Sequence, residues 1–256
     1  MSIERLAYAS RWRPLAPSAK ALFCGGAMAA AWLAASPWTT LALAGLMATL
    51  TVVAAGVPMQ AYLKVALAPL GFLCISCLTM LVTLAPGNSG LHWRLAPELL
   101  PQVAMIVSRA AALCTTLLLL VLTTPLGDLL GLLRRLHVPA LLLDLMALAY
   151  RMQAVLAEAM QDGLTAQRAR LGYGGRRQAL RSSALLISRM AVQIWARASA
   201  LQAAADARNF NGELRVLPAS YPRWRLQCAV AVLGGLVLIA GAAWVGAAGA
   251  GSGSAA

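Results

Sequence analysis

A chain of 256 residues that is 61% hydrophobic and only 11% charged, with a mean hydropathy of +0.74, is too apolar for an ordinary soluble domain, where about a quarter of residues are charged. Its net charge of +13 raises nucleic acid as a partner, but 14 arginines against six carboxylates between Asp128 and Arg225 put +8 of that excess in one segment interrupting the apolar runs. The positive-inside rule places such a segment in the cytoplasm, where anionic lipid head groups and acidic protein partners, not nucleic acid, are its counterparts.

In chain order, Arg5, Arg11, Arg13 and Lys20 precede a first apolar run at residues 21–35. Ser36 and Pro37 make a tight outer turn into a second at 38–55, and Lys64 leads into a third at 65–85. The loop "APGNSGLHWRLAPE" has one arginine against one glutamate and reads as external; a fourth run at 102–122 returns to the basic segment, and a fifth occupies 226–248. About five transmembrane helices follow, at about 20 apolar residues each, with the N-terminus inside and the C-terminus outside. A cleaved signal peptide over residues 1–36, suggested by "LAAS", would reverse the charge asymmetry of every later loop. The fold class is thus an all-α membrane protein. N-terminal transmembrane helices occupy 1–122, a cytoplasmic domain 123–225, a last transmembrane helix 226–248, and a low-complexity tail without predicted structure or function 249–256.

Groups that do chemistry are scarce. His92 and His137 have no partner at ligand spacing, so both read as structural. Cys74 and Cys77 share a helical face and could hold a soft metal, but no second pair completes a site and small-residue packing explains them. Cys24, Cys114 and Cys228 imply no disulfide framework. No carboxylate lies within the five runs, which argues against a proton relay or a cation path of the chain's own. Arg109 is the one charge inside a span, and both pairing with another subunit and snorkelling to the outer interface remain open for it.

The basic segment is more specific. A stripe runs through Leu145, Ala149, Met152, Leu156, Ala159, Gly163 and Ala166, and its next step is Arg170; a second runs through Ala184, Ile187, Ala191, Ile194, Ala198, Leu201 and Ala205, and its next step is Arg208. Steps of three and four predict two long amphipathic helices, each ending in an arginine. Gly163, Ala166, Ala198 and Ala205 would form a seam where the helices cross closely. Each end has the order Ala-Arg, aromatic, Gly: Ala169 and Arg170 ahead of Tyr173, Ala207 and Arg208 ahead of Phe210. Gly172 and Asn209 are expected to take the left-handed conformation that stops each helix, with Gly174 and Gly212 extending the turns. The helix macrodipole favours a cation at either end but does not account for the doubled pattern. A guanidinium can engage a carboxylate or backbone carbonyls in a partner's groove with fixed geometry. Tyr150, Met152 and Trp195 either pack in the core of the pair or support another subunit.

The segments "TAQRARLGY" and "ARNFNGELRVLP" resemble the paired arginine motifs of the transmembrane T component of energy-coupling factor (ECF) transporters, in particular the cobalt-type CbiQ proteins. "SRWRPLAPSAKAL" and "LTTPLGDLLGLLRRLHVPALLLDLMALAYR" extend the resemblance over nearly the whole chain. Leu171 and Asn209 stand where that family commonly has glycine. The resemblance implies a non-enzymatic coupling subunit of a bacterial cytoplasmic membrane importer. Its crossed coupling helices would dock Arg170 and Arg208, with Ala169, Ala207, Gly172, Asn209 and Gly212 around them, into two cytoplasmic ATPase subunits. A separate substrate-binding membrane subunit, with a small accessory membrane subunit as a possible addition, would hold the metal. ATP and Mg would sit on the ATPases, and no cofactor or metal on this chain. Cobalt is the implied cargo and nickel the alternative, since the discriminating ligands lie in another chain. A free-standing permease would need a polar pathway of its own, and a membrane-anchored enzyme a catalytic constellation in 123–225; neither is visible.

Overall fold

The computed structural model describes residues 3–87, 90–95, 99–209 and 221–252. Helix α1 (Ile3–Ala9) is followed by α2 (Pro17–Leu33), which starts on a proline suited to the first helical turn. Ser36 caps α3 (Pro37–Thr49), accepting from the Trp38 amide at 3.4 Å. That helix widens into a π-helical turn at Leu50–Ala54 and stops at Gly56, whose φ of 73° is left-handed. Helix α4 (Met59–Leu81), strands β1 (Val82–Gly87) and β2 (Gly90–Leu95), α5 (Leu100–Thr123), α6 (Leu126–Arg135), α7 (Ala140–Ala169), α8 (Arg176–Ala207) and α9 (Trp224–Ser252) complete the order.

Among the described residues the fold is all-α apart from one antiparallel hairpin, which takes in residues 82–85 of the predicted third apolar run as well as part of the predicted external loop, the helix itself ending at Leu81. There Val82 pairs with Leu95, and Gly87 with Gly90 at the closed end. Five helical segments among the described residues are long and apolar enough to cross a membrane: Pro37–Ala54, Met59–Leu81, Leu100–Thr123, Ala140–Ala169 and Trp224–Val245. They are not quite the five runs of the sequence. Helix α2 has 17 residues, about 25 Å at 1.5 Å per residue and short for a bilayer core of about 30 Å. In its place α7 qualifies, because its first turns are almost wholly apolar, although Asp144, Arg151, Glu158, Asp162 and Arg168 punctuate the rest. At the far end α9 continues to Ser252, so alanine carries helix into what composition alone marks as a structureless tail.

The chain divides into two compact units, Met1–Leu129 with Ala219–Ala256, and Leu130–Pro218. In the first, α5 touches α1, α2, α3 and α4, and α2 also packs along α9. One core gathers Cys24, Ala27, Ala30 and Ala31 of α2, Leu43, Ala44 and Met47 of α3, and Ala112 and Leu119 of α5; a second joins Leu6, Ala55, Val57, Tyr62, Ala66 and Leu122. Small residues set these distances. A Cβ on Gly26 would lie 2.6 Å from Gly235 Cα, so α2 and α9 cross backbone to backbone. Several buried hydroxyls in the bundle are paired: those of Thr40 and Ser108 meet at 2.7 Å across α3 and α5, and Thr116 and Thr123 donate to carbonyls one turn back. The outer faces are apolar, with Leu67, Phe72, Ile75, Val237 and Trp244 exposed, as in a multi-pass membrane protein whose solvent on those faces is lipid.

Arg109 is used inside this unit. Its Nη2 donates to Ala34 O, an end carbonyl of α2, at 3.2 Å, and its guanidinium lies over the Trp32 ring at 5.3 Å. The arginine therefore closes a helix end that would otherwise present an unpaired carbonyl.

In the second unit the remainder of α6 leads through His137, at φ 61°, into α7. Arg134 approaches the buried Asp144 at 3.9 Å, and α8 returns along α7 after a short turn.

Candidate functional site

The two arginine-bearing helix ends have the same backbone. Arg170 is the residue closing α7, at φ −93° and ψ 17°; Arg208 closes α8 at φ −97° and ψ 8°. The next residue is left-handed in both, Leu171 at φ 55° and Asn209 at φ 53°. Beyond α7 the Leu171 amide donates to Arg168 O at 3.0 Å and the Gly172 amide to Gln167 O at 2.9 Å, the double closure that satisfies the last carbonyls of a helix. Beyond α8 the Asn209 amide donates to Asp206 O at 3.0 Å, the equivalent first bond. Gly212 lies outside the described residues.

Asn209 takes the conformation expected of it, but at the first end Leu171 and not Gly172 is the left-handed residue. The helix runs to Ala169, which makes Arg170 the cap and puts the reversal one residue earlier than the glycine. A leucine there costs about 1–2 kcal/mol against a right-handed backbone. What Gly172 supplies is room. It is buried, and a Cβ on it would stand 2.6 Å from Ser182 Oγ and 2.9 Å from Gln167 O. Ser182, in the second turn of α8, donates to Gly172 O at 2.8 Å in a buried hydrogen bond. Sequence reading missed Ser182 because nothing in its local pattern separates it from the neighbouring Ser183. The signal is tertiary, a hydroxyl facing a residue without a side chain.

Both arginines are exposed, and among the described residues neither makes an ion pair. Ala169, Ala207 and Leu171 are exposed with them. The side chains at each tip are thus free to meet another molecule, while Gly172, Ser182 and the amide closures hold the first tip's backbone from behind.

The seam is more local than its sequence pattern. Gly163 faces Leu186, whose Cδ1 occupies the place a Cβ on Gly163 would take. Met152, Leu156, Ala159 and Gly163 are half-buried along α7, but Ala166 is exposed. On α8 the face turned inward is Ser182 and Leu186; Ala184, Ile187, Ala191, Ile194, Ala198 and Leu201 are exposed, and Ala205 is half-buried. The helices therefore meet beside their connecting turn, and of the small residues expected at the crossing on α8, Ala198 faces outward and Ala205 is only half-buried. Trp195 is 78% exposed, which removes it from the core of the pair, whereas Met152 and Tyr150 are half-buried. Gly163→Leu should accordingly lower the stability of the helix pair by about 1–3 kcal/mol, since overpacking must displace Leu186. Ala198→Leu should leave the isolated chain within about 0.5 kcal/mol of the parent. Thermal unfolding of the purified protein measures both, and equal losses at the two positions would contradict the local crossing.

Among the described residues no cluster of three or more His, Cys, Asp or Glu side chains is placed to hold a metal ion. Cys74 is exposed and Cys77 half-buried on α4.

A family profile described as "Cobalt transport protein" (CbiQ) matches residues 9–218. The chain is 38% identical over 225 residues to the "Cobalt transport protein CbiQ" of Rhodobacter capsulatus, an alignment covering 86% of this chain and 90% of the relative. It is 27% identical over 218 residues to a "Putative fused cobalt transport protein CbiMQ" of Methanocorpusculum labreanum, covering 82% of this chain and 36% of that protein. Both arginine tips lie within the matched residues. The chain is therefore a membrane member of the CbiQ cobalt transport protein family, the family its paired arginine motifs resemble.

Proposed function

We propose that this chain is the coupling subunit of an ATP-driven ECF importer for cobalt in a bacterial cytoplasmic membrane. Arg170 and Arg208 would each dock into one of two cytoplasmic ATPase subunits, and the chain would pass their closing and opening to a separate substrate-binding membrane subunit. The carrying observation is the repeated tip: two exposed arginines with matching backbone angles, each followed by a left-handed residue. Two equivalent plugs in one chain fit two copies of one socket. The fused relative supports a second membrane component, because this chain corresponds to about a third of it and its name joins two parts. The names of the family and of both relatives support cobalt over nickel as the cargo. ATP and Mg belong on the ATPases in this reading, and the cargo ion on the substrate-binding subunit.

The orientation that suits this role has the N-terminus and residues 130–209 inside and the C-terminus outside. Helix α7 is apolar enough to span, but its five charged side chains would each cost up to about 2.5–3.5 kcal/mol near the bilayer centre. An amphipathic helix at the cytoplasmic surface avoids that cost. Affinity purification of the tagged chain expressed with its transporter partners should yield two ATPase copies and one substrate-binding membrane protein, with cobalt uptake in proteoliposomes requiring all of them. A cysteine replacing Arg177 should react with an impermeant thiol reagent only after permeabilisation, and one replacing Ser252 should react from outside. Cobalt uptake by the chain alone, or external labelling at position 177, would overturn the assignment.

A further inference from the structure

At one end of the first unit a cleft of about 350 Å³ is lined by Tyr8, Arg13, Pro14, Asp128 and Tyr221. That volume is within the range of small-ligand sites, roughly 300–1,000 Å³. Its place in the bundle is defined by neighbouring contacts: Lys20 Nζ donates to Thr123 O at 2.8 Å, and the Ala16 amide to Gln227 Oε1 at 2.8 Å. The start of α2, the end of α5 and the start of α9 thus meet here, where the apolar helices begin. Arginines and aromatic rings gather at the same level, with Arg13 over the Tyr8 ring at 5.1 Å and Arg225 over Trp224 at 5.5 Å. Basic and aromatic side chains at the ends of apolar helices mark the depth of lipid head groups.

Arg13 and Asp128 line this one cleft but form no ion pair with each other. Stacking on Tyr8 explains the arginine alone, and a carboxylate in the first turn of α6 is favourable by itself. The Lys20 ammonium also acts on Asp128, but it is held on Thr123 O and does not line the cleft; within the cleft Arg13 and Asp128 are opposite charges on a common space with no ion pair between them. A ligand carrying both complementary charges would satisfy the two together. A purely anionic group would leave Asp128 opposed, and a quaternary ammonium offers a carboxylate no N–H donor. We propose that the cleft binds the phosphoethanolamine headgroup of a membrane phospholipid, its phosphate on Arg13 and its primary ammonium on Asp128 beside the rings of Tyr8 and Tyr221.

The test is native mass spectrometry of the full-length protein equilibrated with equal amounts of phosphatidylethanolamine, phosphatidylcholine and phosphatidylglycerol. Wild type should retain phosphatidylethanolamine about fivefold over each of the others, the factor that one additional interfacial ion pair supplies. Asp128→Asn should bring phosphatidylethanolamine down to the level of phosphatidylcholine. Asp128→Lys should move the preference to phosphatidylglycerol, and Arg13→Gln should lower all three. Retention ratios are read within one sample of folded protein, so reduced yield does not imitate the effect. Soluble glycerophosphoethanolamine should not displace the lipid at equal concentration. Equal retention of the three lipids by wild type, an unchanged preference in Asp128→Asn, or displacement by the soluble compound would each overturn the proposal.

Discussion

With Arg170→Glu and Arg208→Glu combined, the ATPase subunits are expected to leave the membrane fraction, and cobalt uptake to fall to background while the chain still inserts. Both guanidinium groups are exposed and without an ion pair among the described residues, so the substitutions break no ion pair in the folded chain and cost it only the helix-end charge effect, about 0.3–1 kcal/mol each. At a partner's buried groove each exchange replaces a charge-assisted contact with an unpaired or repelled carboxylate, a loss of about 2–5 kcal/mol. The single variants should loosen one socket and leave the other engaged. Arg176 and Arg181 provide controls, being exposed on α8 but outside the Ala-Arg, aromatic, Gly pattern of the helix ends; reversing either should change binding by no more than about 1 kcal/mol. ATPase co-purification and radiolabelled cobalt uptake are the measurements. Wild-type values for the double variant would remove the basis for the coupling role, and equal losses at the controls would reduce it to general basic charge.

Gly172→Val should disable the first tip without touching its arginine. A side chain there must push against Ser182 Oγ and Gln167 O, at 2.6 and 2.9 Å from the Cβ position. Overpacking costs about 1–3 kcal/mol. Displacing Ser182 from Gly172 O leaves a buried hydroxyl without its partner, at about another 1–3 kcal/mol. Gly175→Ala meets no atom within 4 Å, and Gly174→Ala only ordinary contacts at 3.6 and 3.8 Å, so neither should match the loss. Leu171→Gly should instead stabilise the turn by relieving its left-handed leucine. Thermal unfolding of the four variants, with ATPase co-purification beside it, separates the backbone of the tip from its charge. Tolerance of valine at Gly172 equal to that of alanine at Gly175 would contradict the close approach of α8.

Only features set by short-range chemistry could be read from the residue order. Apolar runs of bilayer length determined the membrane class, and steps of three and four determined that α7 and α8 are long helices ending at Arg170 and Arg208. Asn209 was legible as a helix stop because a short polar side chain tolerates the left-handed region by itself. Tertiary contacts decided the rest. Leu171 takes the left-handed position because α7 runs on to Ala169, and Gly172 behind it is held under Ser182, ten residues away in sequence. Arg109 closes α2 because Ala34, 75 positions earlier, ends beside it. The stripe on α8 turns outward beyond the first few turns because the two helices meet near their connection, and periodicity gives a helix a face without saying what the face meets. Helix ends and spans depend on neighbours a few bonds apart; the support behind the arginine tips depends on which distant backbones come into contact, and that is a property of the folded chain.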